Sequence, residues 1–231
     1  MRLCGHSFVR DFIGAKPIVL DCGANRGIFS TELAGRCRAT VYGFEPDPRL
    51  FRSLPEVENV RFYDLAVSAS AEDMTLNLGM ENCSSARFFE GEGQASVVVK
   101  TVQLDTFCRE QSLSRIDLLK LDIEGAEIEV LEGLPQALLA VTGQITVEFH
   151  DFLDIAERPR IRQVIRSLQA SGFHFIRFSH HDYSDCLFVN SRQHPLGAMA
   201  RIELLCKKYY RGISRKLAGP RQCGQFGMGC E

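Results

Sequence analysis

The 231-residue sequence lacks long apolar runs, paired cysteine motifs and a charge excess of one sign. No apolar run approaches the roughly 20 residues that cross a bilayer, and residues 1–16 hold no apolar segment of signal-peptide length. The nine cysteines are an odd number without a C-x-x-C pair, which argues against a disulfide framework. The net charge of −2 gives no general attraction to nucleic acid or anionic membranes. We therefore expect a cytoplasmic protein with no membrane span and no nucleic-acid partner.

Most of the chain has the pattern of a single α/β domain. Short apolar runs alternate with amphipathic stretches over residues 17–63, and this alternation is typical of a parallel sheet. Residues 74–78 and 96–104 alternate like strands around a Gly- and Ser-containing segment, 79–93, which predicts an inserted hairpin with a mobile tip. Residues 1–16 are expected to form an irregular or helical lead-in.

The composition changes at Arg192. From there to Glu231, eight Lys or Arg side chains stand against two Glu, so this segment is strongly basic. We predict a domain over residues 1–191 and a basic extension over residues 192–231, with a helix at 199–210 and a flexible end. A solvated helix and tail is the simpler interpretation of the extension, and its contact with an anionic substrate or a partner is the alternative. A homodimer also stays open.

A glycine-containing turn follows the first strand. Asp21 ends the strand, and Gly23, Asn25 and Gly27 follow before an amphipathic stretch from Ile28. Glycines allow positive φ and a close approach between backbone and ligand. The N-terminus of the next helix would hold an anionic group, while Asp21 would hold a cationic one. A ligand with both charges side by side is an amino acid, so the turn favours the methionine half of S-adenosylmethionine (SAM).

Glu45 ends the second strand, about one strand–helix–strand unit after Asp21. An acid at this place lies beside the first turn and can accept hydrogen bonds from both ribose hydroxyls of a nucleoside. NAD-binding folds share this spacing, but their G-x-G-x-x-G fingerprint has glycine where this sequence has Asn25. An NAD-dependent oxidoreductase is therefore disfavoured but not excluded. Asp64 and Ala66 follow the third strand, and we expect this loop to meet the adenine unless it is an ordinary turn.

Four ionisable side chains follow two later strands. Asp122 and Glu124 come after one buried strand, and Glu148 and His150 lie two residues apart at the end of the next. We expect them to converge, because the carboxyl ends of parallel strands meet at one edge.

Asp122, Glu124 and His150 are the predicted catalytic residues. His150 is the expected general base because imidazole titrates near neutral pH, and Asp122 is the substitute for it. Asp122 is also expected to contact the cofactor. The simpler alternative is a helix N-terminus capped by acids beside a hydrogen-bonded histidine. No metal is expected, although a divalent cation among Asp122, Glu124 and Glu148 stays an option.

Four segments together resemble the FkbM-type SAM-dependent methyltransferases. They are VLDCGANRG (19–27), GFEP (43–46), AVS (66–68) and IDLLKLDIEGAE (116–127). The resemblance implies an α/β, Rossmann-like class I methyltransferase sheet of seven strands, the last antiparallel, with helices on both faces. It also implies methyl transfer from SAM to a hydroxyl oxygen of a small-molecule acceptor such as a sugar or polyketide. A SAM- or nucleoside-binding interaction protein without methyl transfer is the alternative.

Overall fold

A computed structural model describes residues 1–78, 84–85 and 95–195 of the chain. The strands in these ranges are β1 (Arg2–Leu3), β2 (His6–Ser7), β3 (Ile18–Cys22), β4 (Thr40–Phe44), β5 (Val60–Tyr63), β6 (Ala66–Val67), β7 (Met74–Leu78), β8 (Ser84–Ser85), β9 (Ala95–Val99), β10 (Thr101–Val102), β11 (Leu118–Leu121), β12 (Gln144–Val147), β13 (Phe173–Arg177) and β14 (Cys186–Asn190). The helices are α1 (Ile28–Cys37), α2 (Pro48–Phe51), α3 (Leu104–Glu110), α4 (Glu127–Gly133), α5 (Gln136–Val141) and α6 (Arg158–Ala170).

Seven strands form one mixed sheet in the order β13-β14-β12-β11-β3-β4-β5. The five strands from β12 to β5 run parallel, while β14 runs antiparallel to both β12 and β13. The predicted seven-stranded sheet with an antiparallel last strand is therefore confirmed. In such a sheet, ligands bind beyond the carboxyl ends of the parallel strands, which places any site near the ends of β3, β4 and β11.

Alternate residues of the central strands belong to two separate cores, because successive side chains of a strand point to opposite faces. Val19 and Leu118 pack in a core shared with α1 and residues 3–13. Leu20 and Leu119 pack in the other core, which α3, α4, α5 and α6 complete. Helices thus cover both faces, as predicted. Among the described helices, none is long and apolar enough to span a bilayer.

The predicted hairpin insertion is also present. β7 pairs antiparallel with β9, from Met74 opposite Val99 to Leu78 opposite Ala95, and β8 pairs with the other edge of β7. Most of the segment expected to form its tip, 79–93, lies outside the described residues. The predicted C-terminal helix at 199–210 and the flexible end lie outside them as well.

Two local predictions differ from the structure, and one helix is additional to them. Residues 1–16 hold an antiparallel pair of two-residue strands, β1 and β2, and a 3₁₀ turn at Arg10–Phe12, instead of an irregular or helical lead-in. The expected loop after β5 contains β6, which pairs in parallel with β10. Helix α5 was not predicted. Strands of two residues and a helix of six residues carry too little hydrophobic periodicity to be recognised from sequence.

Three cysteines within apolar segments are buried as free thiols, namely Cys22, Cys108 and Cys186. Burial raises the pKa of each of these thiols, and the pKa of Cys108 rises to about 11. Because the thiolate is the reactive form, these cysteines are structural.

Candidate functional site

A cleft opens at the carboxyl ends of β3, β4 and β11. It encloses about 700 Å³, part of which is open to solvent. Its walls are the β3–α1 turn, the end of β4, parts of β6 and β7, and the β11–α4 turn. The lining residues are Gly23, Asn25, Phe44, Glu45, Pro46, Leu50, Ala66, Val67, Met74, Leu76, Asp122, Ile123, Glu124 and Ala126.

The β3–α1 turn requires glycine at its first bend. Gly23 has a φ of 86°, and a Cβ atom there would lie 1.8 Å from the carbonyl oxygen of Asp122. Gly27, with a φ of 73°, is the residue from which α1 begins. The two turns that wall the cleft therefore touch through backbone atoms, and the amides of the first turn of α1 lie beside them.

Glu45 is a buried carboxylate held at the wall of the cleft. Its Oε2 accepts a hydrogen bond from the Asn25 amide at 2.7 Å, and its Oε1 accepts one from the Asp47 amide at 2.9 Å. Burial raises the pKa of Glu45 to about 7, although these two hydrogen bonds act in the opposite direction. The carboxylate is thus fixed between the first turn and the end of β4, where sequence placed it.

Asp21 has a different environment from the one predicted. It is fully buried behind the turn, with Oδ1 3.0 Å from Lys120 Nζ, and its Oδ2 accepts a hydrogen bond from the Ser30 hydroxyl at 2.7 Å. Lys120 also donates to the carbonyl oxygen of Gly23 at 2.9 Å. Asp21 therefore supports the turn through Lys120, and a direct contact between Asp21 and a ligand stays a prediction.

Asp122 connects this buried pair to the rim of the cleft. Its Oδ2 lies 3.4 Å from Lys120 Nζ and 3.2 Å from His6 Nε2. Burial opposes ionisation, but Lys120, His6 and His150 outweigh it and hold the pKa of Asp122 well below its usual range. Asp122 is consequently a permanent anion at neutral pH.

His150 lies among three carboxylates. Its Nδ1 is 3.1 Å from Glu127 Oε1, and its Nε2 is 3.3 Å from Glu124 Oε2 and 3.9 Å from Asp122 Oδ1. Burial alone would lower its pKa, but the three carboxylates together raise the pKa of His150 to about 9. The imidazole is therefore mostly protonated at neutral pH, and the near-neutral titration on which its role as a base was predicted is not found.

The two other rim carboxylates hold protons more readily than usual. Burial and the nearby Asp122 raise the pKa of Glu148 to about 7, against the opposing effect of His150. Burial, Asp122 and Glu127 likewise raise the pKa of Glu124 above its ordinary value. The structure thus brings the four ionisable groups named from the sequence to one rim, where the pKa of each is shifted.

The remaining predicted contacts are at the adenine side. Ala66 is buried and lines the cleft, whereas Asp64 is exposed and does not. An adenine contact by Asp64 stays a prediction.

Three members of the site were missed in the sequence, namely His6, Lys120 and Glu127. The sequence does contain a signal for Lys120, because a single cation inside the apolar run of β11 must find buried partners of opposite charge. Glu127 entered only the alternative of acids at a helix N-terminus, and its carboxylate does accept hydrogen bonds from the amides of Ile123 and Gly125. His6 had no signal, since its contact with Asp122 spans 116 residues of sequence.

A model of the methyltransferase FkbM domain matches residues 21–175. AMB antimetabolite synthetase AmbE of Pseudomonas aeruginosa is 31% identical over 212 residues, which cover 72% of this chain and 10% of AmbE. The 2-O-methyltransferase NoeI of Sinorhizobium fredii is 28% identical, with 58% of this chain and 64% of NoeI covered. The hexuronic acid methyltransferase AglP of Haloferax volcanii is 28% identical, with 59% and 57% covered.

The chain spans one tenth of AmbE and less than two thirds of NoeI and AglP. The domain match includes the β3–α1 turn with its glycines, which we call the glycine turn, and Glu45. It also includes the acidic rim, which consists of Asp122, Glu124, Glu148 and His150. The match extends over more than half of the chain. The chain therefore belongs to the FkbM methyltransferase family.

Proposed function

We propose that this chain is a SAM-dependent methyltransferase that transfers a methyl group to a hydroxyl oxygen of a small molecule. The observation that carries the proposal is a cleft whose wall holds the Glu45 carboxylate and which borders an acidic rim with a buried imidazolium. Membership of the FkbM family supports methyl transfer. The relative NoeI is a 2-O-methyltransferase, which supports an oxygen acceptor, and AglP is a hexuronic acid methyltransferase, which supports a sugar-like acceptor.

The chemistry of the lining residues fits SAM. Glu45 would accept hydrogen bonds from the ribose hydroxyls, and Asp122 and Glu124 would offset the positive charges of the sulfonium and amino groups. Apolar side chains line the part of the cleft that is expected to hold the adenine of SAM. They are Phe44, Leu50, Val67 and Ile123. The residues that would hold SAM are Gly23, Asn25, Glu45, Ala66 and Asp122. When bound, SAM supplies an electrophilic methyl group.

Glu124 is the proposed acceptor of the hydroxyl proton. It lines the cleft, whereas His150 contacts it from behind and holds a proton at neutral pH. A carboxylate with a raised pKa is a better base than Asp122, whose pKa is held low. The imidazolium of His150 keeps Glu124 ionised and in place, so that His150 acts by charge and orientation.

The acceptor is proposed to contact the segment after His150. Phe152, Leu153 and Ile155 are large apolar side chains that are exposed there, and the Phe152 ring lies 5.4 Å from the His150 ring. Three exposed apolar side chains within four residues suit an acceptor with an apolar face, such as a sugar ring or a polyketide. Met74 and Leu76 of the hairpin insertion extend the wall of the cleft.

Calorimetric titration with SAM, followed by incubation with neutral, acidic and polyketide-like hydroxyl compounds, tests the proposal. The expected result is one SAM site and release of S-adenosylhomocysteine with at least one class of acceptor. SAM binding without release of S-adenosylhomocysteine across the whole panel would favour the alternative of a SAM-binding interaction protein. Binding heat with NAD but not with SAM would favour an NAD-dependent oxidoreductase. Cytoplasmic localisation stays a prediction from sequence, and the role of the basic extension stays open.

A further inference from the structure

The β1–β2 hairpin places a fully buried imidazole against the acidic rim. His6 lies on β2, and its Nε2 is 3.2 Å from Asp122 Oδ2. We propose that His6 is a positioning residue, which fixes one oxygen of Asp122 so that the other oxygen faces the cleft, where it would offset the sulfonium charge of SAM. This inference rests on the methyltransferase function proposed above.

The contacts of Asp122 are divided between its two oxygens. Both close partners, His6 Nε2 and Lys120 Nζ, approach Oδ2, at 3.2 and 3.4 Å. On the other oxygen, Oδ1 lies 3.9 Å from His150 Nε2. The Asp122 side chain keeps 27% of its surface exposed, so it reaches the cleft while its other side is held. Two donors on one oxygen fix the plane of the carboxylate.

The protonation state of His6 follows from its partner. An ionised carboxylate can only accept, so Nε2 must carry the proton that it donates to Asp122. Among the described residues, Nδ1 has no hydrogen-bond partner. Burial lowers the pKa of His6, and its charged neighbours are Asp122, Lys120 and Asp21. His6 is therefore a neutral donor with its proton on Nε2.

The hairpin is anchored firmly enough to set this position. The backbone amide and the hydroxyl of Ser7 donate to Asp185 at 3.0 and 2.9 Å. The amide of Val9 donates to the Gln144 side chain at 2.8 Å, and that side chain donates back to the Val9 carbonyl. These bonds tie the segment to Gln144, the first residue of β12, and to Asp185, which directly precedes β14.

A metal site is the competing interpretation of the same atoms. Donor atoms of His6, Asp122 and Glu148 all lie within 4.8 Å of one another, a spacing that admits a divalent cation. The Lys120 ammonium already supplies positive charge beside Asp122, however, and it is held there by its pairing with Asp21. We therefore interpret the contact as a hydrogen bond that orients the carboxylate.

The kinetic test compares His6→Leu with His6→Gln. Leucine removes the donor, whereas the glutamine amide can donate from nearly the position of Nε2. We expect His6→Leu to lower kcat on the order of 10- to 100-fold, because a misplaced catalytic group costs about this much. The dissociation constant of S-adenosylhomocysteine should stay within about twofold, and His6→Gln should recover part of the rate.

Ser7→Ala provides the matched control, since it weakens the anchor of the hairpin but retains the imidazole. It should lose much less activity than His6→Leu. Equal losses in the two variants, or no recovery in His6→Gln, would mean that His6 only supports folding. Turnover that requires added Mn²⁺, with Mn²⁺ binding lost in His6→Leu, would make His6 a metal ligand and overturn the proposal.

Long-range ¹H–¹⁵N NMR of the imidazoles tests His6 without any turnover, so a failure of the proposed function does not affect it. The His6 signals, assigned by their loss in His6→Gln, should show a neutral ring protonated on Nε2 at neutral pH. A His6 ring that is charged at neutral pH, or that carries its proton on Nδ1, contradicts the proposal.

Discussion

Lys120 and Asp21 form a buried ion pair between adjacent strands, with 3.0 Å between Nζ and Oδ1. The two residues are direct neighbours in the register of β11 and β3. Lys120 also donates to the Gly23 carbonyl and approaches Asp122, so a single cation joins the glycine turn to the acidic rim. The stability of the sheet and the shape of the cleft therefore depend on the same side chain.

Replacing Lys120 by methionine should destabilise the fold by about 3–5 kcal/mol, because Asp21 would be left buried without its counter-charge. Urea denaturation followed by circular dichroism measures this loss. Arg115→Ala is the matched control, since Arg115 forms an exposed pair with Asp117 at 3.2 Å and its loss should cost at most about 1 kcal/mol. Similar small losses in both variants would show that the buried pair is not needed.

Gly23→Ala should abolish cofactor binding and strongly destabilise the turn. Its Cβ atom would lie 1.8 Å from the Asp122 carbonyl oxygen, and its φ of 86° is strained for alanine. Gly35→Ala is the control, because Gly35 lies in α1 with open space around it and should gain about 0.5–1 kcal/mol of stability. Thermal unfolding with and without SAM compares the two, and a Gly23→Ala protein that binds SAM normally would refute the account of the turn.

Glu45 should make nucleoside affinity depend on pH. Its pKa of about 7 means that the carboxyl is mostly protonated below pH 6 and ionised above pH 8. Since the ionised form is the better acceptor for ribose hydroxyls, affinity should rise with pH, by about tenfold between pH 6 and pH 8. Adenosine is the suitable probe, because its own groups do not titrate there. Glu45→Gln should bind weakly at both pH values, and an unchanged pH dependence in that variant would exclude Glu45 as its cause.

His150→Gln should shift the pH profile of turnover. Loss of the imidazolium beside Glu124 raises the pKa of that carboxylate, so the acidic limb of kcat against pH should move to higher pH. In the parent protein, activity should also fall as His150 loses its proton near pH 9. SAM affinity should change little. A profile that stays in place at a lower rate would indicate that His150 does not act through Glu124.

The backbone of the site could be predicted because its signals are local. Gly23, Gly27 and Glu45 stand at fixed distances from apolar runs, and the alternation of those runs predicts the parallel strands. The antiparallel last strand came from resemblance to a family, since no short pattern encodes strand direction.

The electrostatics of the site could not be predicted, because they depend on contacts between distant segments. Asp21 is buried behind the turn because it pairs with Lys120, which lies 99 residues later in the sequence. The raised pKa of His150 follows from three carboxylates whose distances only the fold defines. His6 reaches the rim through a hairpin of two-residue strands, for which no periodicity exists.

A crystal structure with S-adenosylhomocysteine is the most direct test that this cleft holds the methyl donor with its reactive end at the acidic rim. We predict ribose hydroxyls at the Glu45 carboxylate, the adenine between Phe44 and Val67, and the sulfur nearest to Asp122 and Glu124. Electron density for the ligand outside this cleft, or a sulfur that faces away from Asp122 and Glu124, would contradict the proposed function.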